Sequence, residues 1–456
     1  MLYSLTIKND FKPLLKLAIP LILTGILQSS LNFIENIFLA HLGEHALAAG
    51  ALVGWLFATL IVVLFGTFSS VNILIAHKVG AKDILGISQV LRDGFLLAIL
   101  LVVPTFILFW NMAPIFLLFG QKSELVELAK LYLHGLAWGL LPKFILIVLF
   151  EFIIGLGHTR VTMICVMLSL PLYIFFSYVL IFGKFGFPQL AIAGAGWGMT
   201  AGDWLTSFAL CLYVFFSKHY RSYILAAFNF NKPFHLWELM HLGLPMGFMY
   251  CIEVGFFFAM TLMMGLIGVQ YLAANQITMQ YLGPLMGIIF CIAQAITVRM
   301  GHEIGANQIA AAERASYAGV LLAGIFMLIV AFFYWLVPEK LIAVDFNLSD
   351  PNYAATINIA KQFLFIAAFF QNFEAIRIAL FGALRGLKDT RFTLFVSIIS
   401  FWCIALPVGY VLSTWLKIGG NGFWVGMVIG VLFSVVVLYR RFRWKIGMLL
   451  ENIKIR

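Results

Sequence analysis

Acidic side chains inside long apolar segments are the residues of this sequence best suited to chemistry. Residues 243–268 are nearly all apolar and hold one carboxylate, Glu253. About 20 apolar residues cross a bilayer as a helix, so Glu253 would lie within a membrane. A charge at that depth costs about 2.5–3.5 kcal/mol even on insertion scales, and such residues usually bind an ion, a proton or a substrate. Glu253 therefore predicts a functional site inside the membrane.

Two more carboxylates occur in apolar segments. Glu374 is followed three residues later by Arg377, and residues at that spacing can form an ion pair within one helical turn. Glu35 ends a row of polar residues that share one helix face. The earlier members of the row are Thr24, Gln28 and Asn32. The alignment favours a functional role for Glu35, whereas the pair with Arg377 could by itself account for Glu374.

Gln28 and Asn32 could line a substrate cavity together with six residues on three other predicted helices. The six are Met249, Phe257, Met260, Gln276, Gln280 and Gln371. Methionine and aromatic faces usually pack, but they also suit varied flat cations, so both interpretations stay open. Lys143 and Glu151 lie two turns apart on one predicted helix, and we expect them to pair; we expect Asp203 to be structural.

Composition excludes a soluble globular protein. The 456 residues are 63% hydrophobic and only 11% charged, and the mean hydropathy is +1.03. A soluble chain carries about 25% charged residues. The sequence therefore predicts a polytopic membrane protein.

Twelve apolar windows are long enough to span a bilayer, which predicts an all-α fold with 12 transmembrane helices. They are 14–40, 47–75, 91–118, 126–155, 161–182, 190–216, 236–267, 271–298, 314–336, 357–384, 392–415 and 419–438. Counted on alternate sides of the spans, most Lys and Arg residues fall on one side. The few on the other side are Lys122, Lys130, Lys184, Lys340 and Lys417. The positive-inside rule places both termini in the cytoplasm.

The sequence contains an internal repeat. A shift of 225 residues lays Pro20 on Pro245 and the loop 77–81 on the loop 302–306. We therefore expect two six-helix bundles related by an axis along the membrane normal. The predicted segments are 1–216 for the first bundle, 217–235 for a cytoplasmic connecting loop, 236–438 for the second bundle and 439–456 for a basic tail. We expect that tail to contact anionic lipid and to bind no nucleic acid.

Signatures of soluble enzymes are missing. The sequence has no G-x-x-x-x-G-K-[ST], no H-E-x-x-H and no G-x-S-x-G motif. We therefore expect no enzymatic activity, no cofactor and no ATP-driven pump, which leaves an ion gradient as the energy source.

Several segments together resemble the multidrug and toxic-compound extrusion (MATE) family, in its NorM-like bacterial branch. They are LAIPLILTGILQSSLNFIEN, HKVGAKD, GLGHTR, FGKFGFPQLAIAGAGWG, LPMGFMYCIEV, AANQITMQ, RMGHEIGA and FFQNFEAIRIALFGALRGLKDTR. The resemblance covers nearly the whole chain. It implies an antiporter that exports small organic cations in exchange for H⁺ or Na⁺ through a bacterial inner membrane.

The resemblance also implies roles for the three carboxylates. Glu253 and Glu374 would form the cation site of the C-terminal half, as metal ligands if the ion is Na⁺, and Glu35 would serve the N-terminal half. The family usually has Asp at the positions of Glu374 and Glu35. We expect a monomer that contacts membrane lipids. The alternative function is a lipid-linked oligosaccharide flippase of the same superfamily, which Arg377 and Lys143 would favour.

Overall fold

A computed structural model describes residues 2–227, 234–344 and 353–455 of the chain, with side chains described for residues 10–224, 234–344 and 353–451. The described residues form helices and short connections, with no β-strand among them. The all-α prediction is confirmed. The predicted connecting loop 217–235 and basic tail 439–456 lie partly outside the described residues, at 228–233 and 456.

Seventeen α-helices follow one another along the described chain. They are α1 Leu2–His41, α2 Glu44–Gly80, α3 Ile84–Trp110, α4 Met112–Leu118, α5 Ser123–Ala137, α6 Leu140–Gly155, α7 Thr159–Phe182, α8 Ile192–Phe216, α9 Arg221–Ala227, α10 Leu236–Ile267, α11 Val269–Gly305, α12 Ile309–Leu336, α13 Pro338–Ile342, α14 Ala354–Gly386, α15 Thr390–Ile398, α16 Leu406–Tyr410 and α17 Asn421–Ile455.

The number of membrane spans agrees with the sequence. Within the described residues, 11 helical segments are long and apolar enough to cross a membrane. The helices α5 and α6 add a twelfth span if they are counted together, although they are bent by 53° at the break between them. Gly139 lies at the break and Pro142 in the first turn of α6. Proline lacks the backbone N–H that would continue the hydrogen bonding of α5, so a new helix begins there.

The span that contains α15 and α16 is not a regular α-helix. Two π-helical segments interrupt it, at Ile399–Ala405 and Val411–Trp415, and the whole span Thr390–Trp415 remains continuous. Wider π-turns change which side chains face a neighbouring helix and often occur at functional sites. The first π-segment carries Phe401, which is completely buried.

The chain divides into two compact units. A C-terminal unit consists of Met1–Ala18 and Pro245–Arg456, and an N-terminal unit consists of Ile19–Leu244. Both divisions pass through a long helix, α1 and α10, next to Pro20 and Pro245, the two prolines that the repeat aligns.

Backbone geometry carries the same repeat within each unit. After α2, Lys82 has φ 55° and its N–H donates to the carbonyl of Val79 at 3.0 Å. After α11, Asn307 has φ 61° and its N–H donates to the carbonyl of Ile304 at 3.0 Å. Each left-handed residue ends its helix by satisfying a carbonyl that the last turn leaves free. The sequence repeat therefore corresponds to a repeated local structure.

Glycines on α8 and α17 allow close helix packing. A Cβ atom at Gly198 would lie 2.5 Å from Cα of Ser177, and one at Gly426 would lie 2.5 Å from the carbonyl oxygen of Ala405. These glycines belong to the two triplets that the repeat aligns, Gly194, Gly198, Gly202 and Gly422, Gly426, Gly430. Small residues at every fourth position let helix backbones approach closely in a membrane. Both triplets therefore have a structural role.

Gly198→Ala is expected to destabilise the protein by about 1–3 kcal/mol, because the added methyl group meets backbone rather than a movable side chain. Gly324→Ala on α12 is the control, since a Cβ atom there meets nothing within 4 Å. Thermal unfolding of the two purified variants in detergent measures the difference. Equal melting temperatures would contradict the packing role of Gly198.

Candidate functional site

A buried cluster of charged residues lies in the C-terminal unit. Arg377 on α14 donates from Nη1 to Oε1 of Glu253 on α10 at 2.8 Å. Its Nε donates to Oε2 of Glu374 at 2.7 Å, and its Nη2 donates to Oε1 of the same carboxylate. Arg377 is 0% exposed, Glu253 6% and Glu374 4%. The structure therefore brings together two of the three carboxylates singled out in the sequence.

Helix geometry explains the contact between Glu374 and Arg377. Glu374 and Arg377 are three residues apart on α14, so their side chains meet on one helix face. The fork-like guanidinium matches both carboxylate oxygens, which is the strongest form of such a pair. The predicted pairing of Glu374 with Arg377 is confirmed.

The rest of the cluster depends on contacts between helices. Ser397 on α15 donates to Oε1 of Glu253 at 2.9 Å, and Nη1 of Arg377 donates to the Ser397 hydroxyl at 3.3 Å. Two rings flank the guanidinium, Phe381 at 4.4 Å and Phe401 at 4.8 Å from its central carbon. Cation–π contacts of this kind contribute about 2 kcal/mol when they are desolvated.

The charges of this cluster do not cancel. Two carboxylates and one permanently charged guanidinium sum to one negative charge when both acids are ionised. Oε2 of Glu253 accepts no hydrogen bond from the described residues, whereas both oxygens of Glu374 are engaged. Oε2 of Glu253 is therefore the carboxylate oxygen of the cluster that is open to a further cation.

Glu35 lies in the N-terminal unit and has different neighbours. The hydroxyl of Tyr132 on α5 donates to Oε1 of Glu35 at 2.8 Å, and Glu35 is 7% exposed. Lys143 and Asp203 lie within electrostatic range of it. This site is separate from the pair in the C-terminal unit.

Lys143 and Asp203 form an ion pair that the sequence did not indicate. Nζ of Lys143 lies 3.0 Å from Oδ1 of Asp203, and the hydroxyl of Tyr173 donates to the same oxygen at 2.5 Å. The predicted pairing of Lys143 with Glu151 is wrong, since Glu151 on α6 instead accepts from Nδ2 of Asn72 on α2. Lys143 and Glu151 share a helix two turns apart, and a partner on a neighbouring helix is closer for each.

The predicted cavity-lining residues differ in exposure. The amides on α1 and α11 are exposed, namely Gln28, Asn32, Gln276 and Gln280, and Phe257 is half-buried. The side chains of Met249, Met260 and Gln371 are buried. Among the described residues none of these amides hydrogen-bonds Glu35, Glu253 or Glu374.

Sequence reasoning missed Ser397, Tyr132 and Tyr173. Each lies on a different helix from the acid that it contacts. No spacing along the chain relates such partners, so only the folded structure identifies them.

The family model described as MatE matches the chain twice, at residues 20–179 and 245–411. The chain belongs to the MATE family. The two matches begin at Pro20 and Pro245, as the internal repeat predicts. They include Glu35, Glu253 and Glu374.

Curated relatives of this MATE transporter match over almost their full length. "Probable multidrug resistance protein NorM" of Pseudomonas putida is 31% identical over 450 residues, which are 98% of this chain and 97% of that protein. The protein of the same name from Oceanobacillus iheyensis is 30% identical over 446 residues, covering 97% of this chain and 98% of its own.

Solved structures share the fold of this MATE chain. An outward-facing multidrug resistance MATE family transporter of the MOP superfamily superposes with a TM-score of 0.86 at 20% identity, over 97% of each chain. A MOP superfamily transporter from Pyrococcus furiosus, described as having a binding pocket of reverse polarity, superposes with a TM-score of 0.85 at 20% identity over 96% of each chain. The MATE chain is a multi-pass membrane transporter and not an enzyme.

Lys143→Met is expected to destabilise the protein by about 3–5 kcal/mol, because it leaves the buried carboxylate of Asp203 without its cation. The melting temperature in detergent measures this effect. The matched control is Lys361→Met, which removes the exposed pair of Lys361 with Glu339 at 2.7 Å, and its effect should be small. Asp203→Asn added to Lys143→Met should restore part of the loss. Equal melting temperatures for the two single variants would contradict a stabilising buried pair.

Proposed function

We propose that this MATE transporter is a secondary antiporter that exports lipophilic organic cations from the cytoplasm while H⁺ or Na⁺ enters. The observation that carries the proposal is the buried cluster of Glu253, Glu374 and Arg377, with its net negative charge. The multidrug resistance names of the relatives support the same substrate class.

The export of the organic cation and the entry of the inorganic cation are coupled because both bind to the same negative charge. Buried negative charge that is not balanced by positive charge is unstable, so a cation that reaches Oε2 of Glu253 stabilises the cluster. An organic cation from the cytoplasm and an inorganic cation from outside both supply that charge, and they compete for it. Each cation leaves only when the other replaces it or when the site becomes open to the opposite side of the membrane. This requirement links export to ion entry.

The other predicted residues receive roles consistent with their exposure. Glu35, held by Tyr132, is proposed as a second and separate cation-coupling carboxylate. Phe257 and the exposed amides are proposed to contact the substrate, and the exposed amides are Gln28, Asn32, Gln276 and Gln280. Met249, Met260 and Gln371, which are buried, are proposed to support that surface from behind.

The proposed location is a bacterial cytoplasmic membrane, with both termini in the cytoplasm and the protein acting as a monomer in contact with lipid. The asymmetric distribution of Lys and Arg supports this orientation.

Glu253→Gln is expected to lower the gradient-driven efflux of a fluorescent organic cation from proteoliposomes by about tenfold or more, because a charged partner contributes about 1.5–3 kcal/mol. Imposing pH and Na⁺ gradients separately identifies the coupling ion. Glu339→Gln is the control, since Glu339 is an exposed carboxylate. Efflux at the wild-type rate in Glu253→Gln would contradict the mechanism. Glu35→Gln should alter ion dependence in a different way, and identical effects would exclude two separate sites.

The alternative function is transport of a lipid-linked oligosaccharide pyrophosphate. Such a ligand needs a basic cavity, whereas the cluster around Arg377 has two acids for one cation. We expect a fluorescent organic cation bound to the purified protein to be displaced by other organic cations and not by a polyprenyl-pyrophosphate analogue. Displacement by the pyrophosphate alone would reverse the assignment.

A further inference from the structure

Arg377 occupies the space between the two acids of the C-terminal unit. All three of its guanidinium nitrogens donate to side chains of the cluster, and both oxygens of Glu374 accept from it. The resemblance to NorM-like transporters implies that an inorganic cation binds this carboxylate pair. In this chain the pair already holds a positive charge that belongs to the protein.

We propose that Arg377 is a resident cation that closes the Glu253–Glu374 pair to Na⁺, which makes Arg377 a specificity-determining residue for the coupling ion. The inference deepens the proposed function and rests on it for its meaning in transport. The Na⁺-binding property itself can be tested without transport.

The arrangement of oxygen atoms does not fit a metal ion. Hard cations take about six oxygen ligands at 2.0–2.6 Å. Both oxygens of Glu374 are bound to Arg377, and Oε1 of Glu253 accepts from Arg377 and Ser397. One carboxylate oxygen, Oε2 of Glu253, is left without a hydrogen-bond partner among the described residues. The pair therefore offers Na⁺ only one carboxylate oxygen that is not already hydrogen-bonded to Arg377 or Ser397.

The positive charge of Arg377 also disfavours binding of Na⁺ at the carboxylate pair. The guanidinium cannot lose its proton within a protein, so a metal ion at the pair would meet a fixed positive charge. The remaining single negative charge suits a ligand that needs only one acceptor oxygen, such as the ammonium group of an organic cation.

Packing holds Arg377 in place in addition to its hydrogen bonds. Its side chain is 0% exposed and lies against Phe381 and Phe401. Its pair with Glu374 is formed within one turn of α14. Release of the guanidinium would break all of these contacts, which favours its place in the pair.

The test compares melting temperatures of the purified full chain in NaCl and in KCl of equal ionic strength. The wild type should show no difference attributable to this pair. Arg377→Gln exposes two facing carboxylates with no resident cation, and its melting temperature should be higher in NaCl by about 2–4 °C, since a bound ligand stabilises the folded state.

Three further variants make the test specific. Arg385→Gln is the matched control, because Arg385 is a buried arginine of the same helix that donates to the Tyr250 hydroxyl at 2.7 Å. It should gain no Na⁺ effect. Arg377→Lys keeps the charge and should also gain none. Glu374→Gln combined with Arg377→Gln removes one of the two acids and should abolish the shift.

Two outcomes overturn the proposal. One is a Na⁺-dependent shift in the wild type that disappears in Glu253→Gln. The other is a folded Arg377→Gln protein without any Na⁺-dependent shift. If Arg377→Gln does not fold, binding of radiolabelled Na⁺ is measured for the wild type and for Glu253→Gln. Saturable binding to the wild type that is lost in Glu253→Gln would contradict the exclusion of Na⁺ from the pair. If the variants show the expected Na⁺ effects on melting temperature but the protein carries out no antiport, the proposed function is rejected and the role of Arg377 as a resident cation still holds.

Discussion

Neutralisation of charge away from water is the constraint on which the interior of this transporter depends. A carboxylate buried in an apolar bundle is stable only when it is paired and hydrogen-bonded. Arg377 provides both for Glu374 through its paired N–H groups, and it reaches Glu253 on another helix at 2.8 Å. Because one guanidinium cannot balance two acids, the same interaction that makes the cluster stable leaves one negative charge for a ligand.

Each unit contains a group of two acids and one cation, at different positions in the two units. In the N-terminal unit Lys143 neutralises Asp203, and Glu35 is the second acid. In each unit a cation lies near an aromatic ring, Lys143 near Tyr173 and Arg377 near Phe401. The two rings are 228 residues apart in the chain, the offset that also aligns the two glycine triplets. The duplicated fold therefore preserves a ring beside a cation. Lys143 on α6 and Arg377 on α14 lie on corresponding helices, whereas their acidic partners Asp203 on α8 and Glu374 on α14 do not.

The architecture positions these groups by close packing and by local departures from regular helix. Glycines on α8 and α17 leave no room for a Cβ atom against the neighbouring backbone. The π-helical segment Ile399–Ala405 carries Phe401, which lies against Arg377. A strictly regular helix would direct that ring differently. The position of the cluster thus depends on the close packing at the glycines and on the π-helical segment, which departs from regular helix.

The sequence by itself determined the membrane class, the number of spans and the internal repeat, because long apolar runs and their periodic breaks are local properties of the chain. It also determined the Glu374–Arg377 pair, whose members are one turn apart. Only the tertiary structure decided that Arg377 reaches Glu253 and that Lys143 pairs with Asp203 and not with Glu151. Those contacts join helices far apart in the chain, and their formation depends on helix rotation and distance, which hydropathy and spacing do not specify.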